Sequence, residues 1–115
     1  MTVINTNETA ACPVALAAKL FGDHWTLLII RDLASGCRRY RQLQDSTGMS
    51  PGVLSGRLRH LEAAGLISRR QYPEIPPRVE YTLTEKGRAA VPLIDQLRRY
   101  GEEWLADGRC PDELD

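Results

Sequence analysis

Arginines dominate the residues of this chain whose types and spacing could do chemistry. Arg38, Arg39 and Arg41 crowd one short stretch, Arg59 follows, Arg69 and Arg70 are adjacent, and Arg78 comes next. A guanidinium stays charged and presents a planar fork of donors, so it can hold a phosphate oxygen or give two hydrogen bonds to the edge of a guanine. Residues 31–88 carry 11 basic and 6 acidic side chains, whereas residues 89–115 carry 3 and 7. The formal net charge of zero therefore conceals a basic middle that attracts a polyanion and an acidic end that keeps the whole near neutral.

Thiols form the second reactive class. Cys12, Cys37 and Cys110 are far apart and include no CxxC pair, and with His24 and His60 they lack the paired spacing of a zinc site. Neither a disulfide framework nor a metal centre is expected from that pattern. No GxSxG, P-loop or HExxH pattern is present, so no catalytic residue and no cofactor are expected, and the chain reads as a binding protein rather than an enzyme.

The arginines need elements to position them, and residues 50–65 supply the clearest one. Leu54, Leu58 and Leu61 share one arc at helical spacing, while Gly52, Ser55, Gly56 and Arg59 face the opposite way. Ser50 suits the N-cap and Pro51 the first helical position. A short basic helix precedes it, with Tyr40 and Leu43 as inward anchors and an end at Gly48, where glycine adopts the left-handed turn at little cost. Two short helices across such a turn predict a helix-turn-helix. Residues 66–83 then predict a two-stranded hairpin: Val79, Tyr81 and Leu83 alternate with polar residues, and Pro73, Pro76 and Pro77 stiffen the tip. A hairpin directly after a helix-turn-helix is a wing.

On this scaffold Arg59 is the candidate for reading a base edge in the major groove of double-stranded DNA. Ser50, Pro51, Gly52 and Ser55 lie near the groove floor, and Gly52 and Gly56 permit close backbone approach. Arg38, Arg39 and Arg41 are assigned to phosphates, where the helix dipole adds to their pull. Arg57 falls between the buried and exposed arcs and either packs along its stem or pairs with an acidic neighbour. Arg78 lies on the return arm of the wing, as a further DNA contact.

Earlier in the chain, Pro13 opens a short helix and Asp23 caps a second, whose Trp25, Leu28, Ile29 and Leu33, with Leu27 and Ile30, make it apolar nearly all round and the expected centre of the core. Residues 84–107 predict a final helical segment that Pro92 kinks or breaks. Its stripe of Leu93, Leu97, Tyr100 and Trp104 exceeds what one small domain can cover, and a homodimer through the terminal helices is expected. No stretch reads as a secretory signal or membrane span, so no membrane association and a cytoplasmic location are expected. The fold class is mainly α with a small β-hairpin.

The opening CPV, then GDHWTLLIIRDL, SGCRRYRQLQ and GMSPGVLSGRLRHLEAAGLISRRQYPEIPPRVEYTLTEKGR, and the late Trp104 carry a family resemblance. From Cys12 to about Trp104 the chain resembles the HxlR family of bacterial transcriptional regulators. The resemblance implies a winged helix-turn-helix that dimerises through its terminal helices and represses or activates nearby promoters. It divides the chain into an arm (1–11), a winged domain (12–107) and an acidic tail (108–115). Within the domain lie N-terminal helices (14–35), the helix-turn-helix (39–64), the wing (66–83) and a dimerisation helix (84–107). Some members sense oxidants, quinones or other electrophiles through a cysteine in the CPV element. Cys12 matches that position, and Cys110 lies where a second thiol would serve as a disulfide partner. A thiolate at a helix N-terminus is favoured by the dipole. Cys37 has Arg38 and Arg39 beside it but no assigned role. Two other readings stay open: a small-molecule pocket at the dimer interface near Trp25, Tyr100 and Trp104, or a winged helix used for protein contact alone. The expected operator is a pseudopalindrome with half-sites about 34–36 Å apart.

Overall fold

The computed structural model describes residues 12–105. Helices α1 (Pro13–Phe21), α2 (His24–Ala34), α3 (Tyr40–Thr47) and α4 (Pro51–Ala63) precede an antiparallel hairpin of β1 (Ile67–Tyr72) and β2 (Arg78–Leu83). A single turn, α5 (Glu85–Arg88), leads into α6 (Val91–Tyr100), which ends in a π-helical turn over Gly101–Leu105. The chain is thus mainly helical with one small hairpin, a winged helix-turn-helix. The arm, the tail with Cys110, and the end of the last helical segment beyond Leu105 lie outside the described residues.

Helix α2 is the centre of the core, as its all-round apolarity predicts. Ile29 and Ile30 are fully buried, Leu33 nearly so, and the helix packs against α1, α3, α4, β2 and α6. Its start is set by Asp23, whose carboxylate accepts from the Thr26 backbone N–H and hydroxyl, both at 2.9 Å. Around it gather Leu43 of α3, Leu54, Leu58 and Leu61 of α4, and Leu66, Ile67, Tyr81 and Leu83 of the wing base. Each fully buried leucine contributes about 1.5–3 kcal/mol, which is what fixes the tilt of α3 and α4 on α2.

The turn between α3 and α4 follows its residue types. Gly48 has φ 74° and donates its N–H to the Gln44 carbonyl at 2.9 Å, a conformation a β-carbon disfavours. Ser50 caps α4 by accepting from the Val53 N–H, with Pro51 in the first turn. Only Arg41 of the basic cluster belongs to α3, because Arg39 is its N-cap and Arg38 precedes it. At the far end Thr84 closes the hairpin: its N–H donates to the Leu66 carbonyl at 3.0 Å and its hydroxyl to that of Gly65. Gly87 then lies so close to the Leu66 carbonyl that a β-carbon there would collide with the oxygen.

The break at Pro92 takes a definite form. α5 stops at Arg88 and α6 begins at Val91, which places the proline in the first turn, where its missing N–H costs little. Within the described residues, α1 buries no residue completely, and α6 buries only Ile94. No single helix there is long and apolar enough to cross a membrane.

Candidate nucleic-acid interface

Helix α4 turns its leucines inward and leaves the other face open. Gly52 and Arg59 are exposed, Ser55 and Gly56 half-buried, and a β-carbon on either glycine would meet nothing within 4 Å. Ser50 and Pro51 are exposed at the helix start. The expected contact residues of this helix therefore share one uncovered surface. Two more belong to it by position: Val53, 43% exposed, and His60, exposed in the last turn. Both lie outside the leucine arc at helical spacing, but neither is a permanent cation or a small residue, so residue type alone did not mark them. Val53 offers methyl groups of the kind that meet a thymine methyl.

Arg57, left between two roles by the sequence, pairs with Asp23 at 3.4 Å. The pair joins the middle of α4 to the N-cap of α2. Burial pushes the Asp23 carboxyl upward, but the two hydrogen bonds from Thr26 and the charge of Arg57 outweigh it, and the group titrates below the ordinary aspartate value. Arg57 is thereby a brace and not a surface cation.

Tyr40 does more than anchor α3. It is half-buried, and its hydroxyl donates to the Pro51 carbonyl at 2.8 Å and lies 3.3 Å from the Ser55 hydroxyl. This contact couples the start of α3 to the first turns of α4 and fixes how the two present themselves together. The approach to α3 is equally constrained: the Arg38 and Arg39 N–H groups both donate to Gln42 Oε1 at 2.9 Å, and the Arg38 carbonyl accepts from the Tyr81 N–H at 2.8 Å. Backbone held on both sides lets three arginine side chains point outward from a fixed base. Arg38, Arg39 and Arg41 are all exposed.

Arg78 stands apart from the other expected DNA contacts. Its guanidinium donates to Glu74 at 2.9 Å and Glu80 at 2.6 Å and lies 3.8 Å from the centroid of the Tyr72 ring, with Arg70 4.8 Å away on the same ring. The charge is matched inside the wing, where Arg78 stiffens the hairpin near its tip. The sequence could not show this, because charge counting ignores which carboxylate the register brings opposite. Arg69 and Arg70 are exposed on β1.

Cys12 is the N-cap of α1, half-buried, with its carbonyl accepting from the Leu16 N–H at 2.9 Å. Cys37 is also a half-buried free thiol, packed against the core between α2 and α3. Among the described residues no three histidine, cysteine or carboxylate side chains gather as a metal site would require.

Comparison with known proteins agrees with this geometry. The profile of the HxlR-like helix-turn-helix family matches residues 20–109. An HTH-type transcriptional regulator of Synechocystis sp., sll1512, is 43% identical over 100 residues, 86% of this chain and 74% of that protein. Among solved structures, the redox regulator HypR in its oxidised form superposes with a TM-score of 0.75 at 32% identity, covering 80% of this chain and 96% of that one. The reduced form of the transcriptional regulator YodB from Bacillus subtilis gives a TM-score of 0.70 at 32% identity, covering 85% and 98%. With an open recognition face on α4, a basic approach to α3 and a wing beside them, the chain belongs to the HxlR-like family of winged helix-turn-helix, DNA-binding transcriptional regulators.

Proposed function

We propose that the chain acts as a homodimer on a pseudopalindromic operator, with α4 in the major groove of each half-site. Arg59 reads a guanine edge, Ser50, Pro51, Gly52, Ser55 and Gly56 lie against the groove, and Arg38, Arg39 and Arg41 hold flanking phosphates. The observation that carries this reading is the outward face of α4, uncovered and glycine-lined while its leucines are fully seated. In this division residues 12–107 form the winged domain, with 84–107 as its dimerisation segment. Support for a dimer comes from apolar side chains left in solvent on both terminal helices: Val14 and Leu16 on α1, Leu93, Leu97 and Tyr100 on α6, and Trp104 at 67% exposure just beyond. The test is binding to duplex DNA as salt is raised. Affinity should fall steeply, with a log–log slope of about −0.9 for each phosphate neutralised, whereas a module for protein contact alone would show no such slope.

The same reading places the signal at Cys12. Its thiol sits at the N-terminus of α1, beside the apolar face assigned to the dimer, and HypR, described as a redox regulator, has structures in oxidised and reduced forms. Two thiols, that of Cys12 and a second for which Cys110 is the candidate, would lose their protons and two electrons to a peroxide, forming a disulfide as the peroxide becomes water. An electrophile such as a quinone would instead add to the Cys12 thiolate. Oxidant should release the protein from DNA, and Cys12→Ser should abolish the release; a Cys12→Ser protein that still lets go would place the switch elsewhere.

A further inference from the structure

One concave site belongs neither to the face of α4 nor to the terminal-helix stripe. A cleft of about 440 Å³ opens where the end of α2, β2, α5 and the start of α6 meet. Leu33, Tyr81, Leu83 and Val91 give it an apolar lining, and Arg38 and Arg88, fifty residues apart in sequence, both reach it. None of its lining residues is acidic. Arg88 donates to the Leu83 carbonyl at 2.9 Å, and among the described residues neither arginine makes an ion pair. Two unmatched guanidinium groups over an apolar lining are complementary to a molecule with one anionic end and a compact apolar body. The cleft is open to solvent, so it would cover one side of a small organic ligand and leave the other in water. Its lining includes none of Trp25, Tyr100 and Trp104, where the sequence placed an interfacial pocket.

We propose that this cleft binds an organic carboxylate with a compact apolar body, and that occupancy competes with DNA through Arg38. The second half rests on the assignment of Arg38 to a phosphate. The Arg38 backbone is clamped by Gln42 and Tyr81, so only its side chain can choose between the cleft and the groove. A carboxylate that holds the guanidinium withdraws one phosphate contact from each subunit.

The test uses 2-naphthoate as probe on the intact protein without DNA, followed by calorimetry. One site per chain is expected, with the Arg88→Gln variant binding about tenfold more weakly, the loss of one charge-assisted contact, and the neutral analogue 2-naphthalenemethanol more weakly still, having lost both. Ala34→Phe fills the cleft from an exposed position in its lining and should abolish binding while leaving the fold intact by circular dichroism. Inorganic phosphate, an anion without an apolar body, should not displace the probe. Saturating naphthoate should then weaken binding to a random duplex several-fold in the wild type and not in Ala34→Phe. No binding by the intact protein, or binding unchanged in both variants or by the neutral analogue, overturns the site. Duplex affinity indifferent to a filled cleft overturns the competition. Because naphthoate binding is read without DNA, a failure of the DNA-binding reading itself would show separately, as a protein that binds the probe but no duplex.

Discussion

The outward faces of α4 and α6 are both bare, yet their chemistry is opposite. α4 shows glycines, a serine and an arginine, flanked by the basic approach to α3. α6 shows Leu93, Leu97 and Tyr100, continued by Trp104 and Leu105 at 71% exposure. A surface of small and cationic groups costs little to leave in water and gains only when a polyanion arrives. An apolar stripe is unfavourable in water until something covers it. The difference teaches that the face of α4 is finished within one chain, whereas the terminal helices leave an apolar stripe that the proposed second copy would cover.

Substitutions on the two faces should therefore fail in different ways. The largest effect belongs to the inner side of α4: Leu58→Ala should cost about 2–5 kcal/mol of folding stability, visible as a lowered denaturant midpoint. Next comes the α6 stripe, where Leu97→Glu should cost the dimer about 2–4 kcal/mol if it sits at the centre of the contact, read by sedimentation as a shift to monomer. Arg59→Ala, one residue along from Leu58, should leave thermal stability within about 0.5 kcal/mol and weaken operator binding by about 1–3 kcal/mol, with relaxed discrimination at one base pair. If Arg59→Ala unfolded the protein, or Leu97→Glu left the dimer intact, the contrast between the faces would be lost.

The smallest effect concerns the brace behind α4. Asp23 titrates lower in the folded protein than in the unfolded chain, so its contribution is fully present above the ordinary aspartate value of about 3.9 and is lost as pH falls through the folded value. Asp23→Asn keeps a capping oxygen but removes the charge facing Arg57. Its stability should therefore decline less than that of the wild type between neutral pH and about pH 3, measured by urea denaturation at each pH. Equal declines would show that the Asp23 charge, on the Thr26 hydrogen bonds and on Arg57 together, contributes nothing.

Local patterns in this sequence carried most of the fold. The leucine arc of α4, the left-handed turn at Gly48, the caps at Ser50 and Asp23, and the alternation of Val79, Tyr81 and Leu83 each arise from neighbours a few residues apart, and all are present. Contacts that join distant segments were not legible. The Tyr40 hydroxyl on Pro51 depends on the angle between two helices, and the Tyr81 N–H on Arg38 on how the wing lies against the approach to α3. Gly87 looks like a tolerated helical glycine until the Leu66 carbonyl is placed against it. The partners of Arg78 were hidden for the same reason, since Glu80 and Tyr72 surround it only once the hairpin register is known. The cleft joins Arg38 to Arg88, fifty residues on, and no periodicity announces such a meeting.

Nuclear magnetic resonance of the labelled protein titrated with a duplex carrying its operator tests the central contrast most directly. The backbone amides of Gly52, Val53, Gly56 and Arg59 should shift most, with Arg39 and Arg41 next, while those of Leu93 and Leu97 on α6 stay still. Shifts concentrated on α6, with the outward residues of α4 unmoved, would contradict the account.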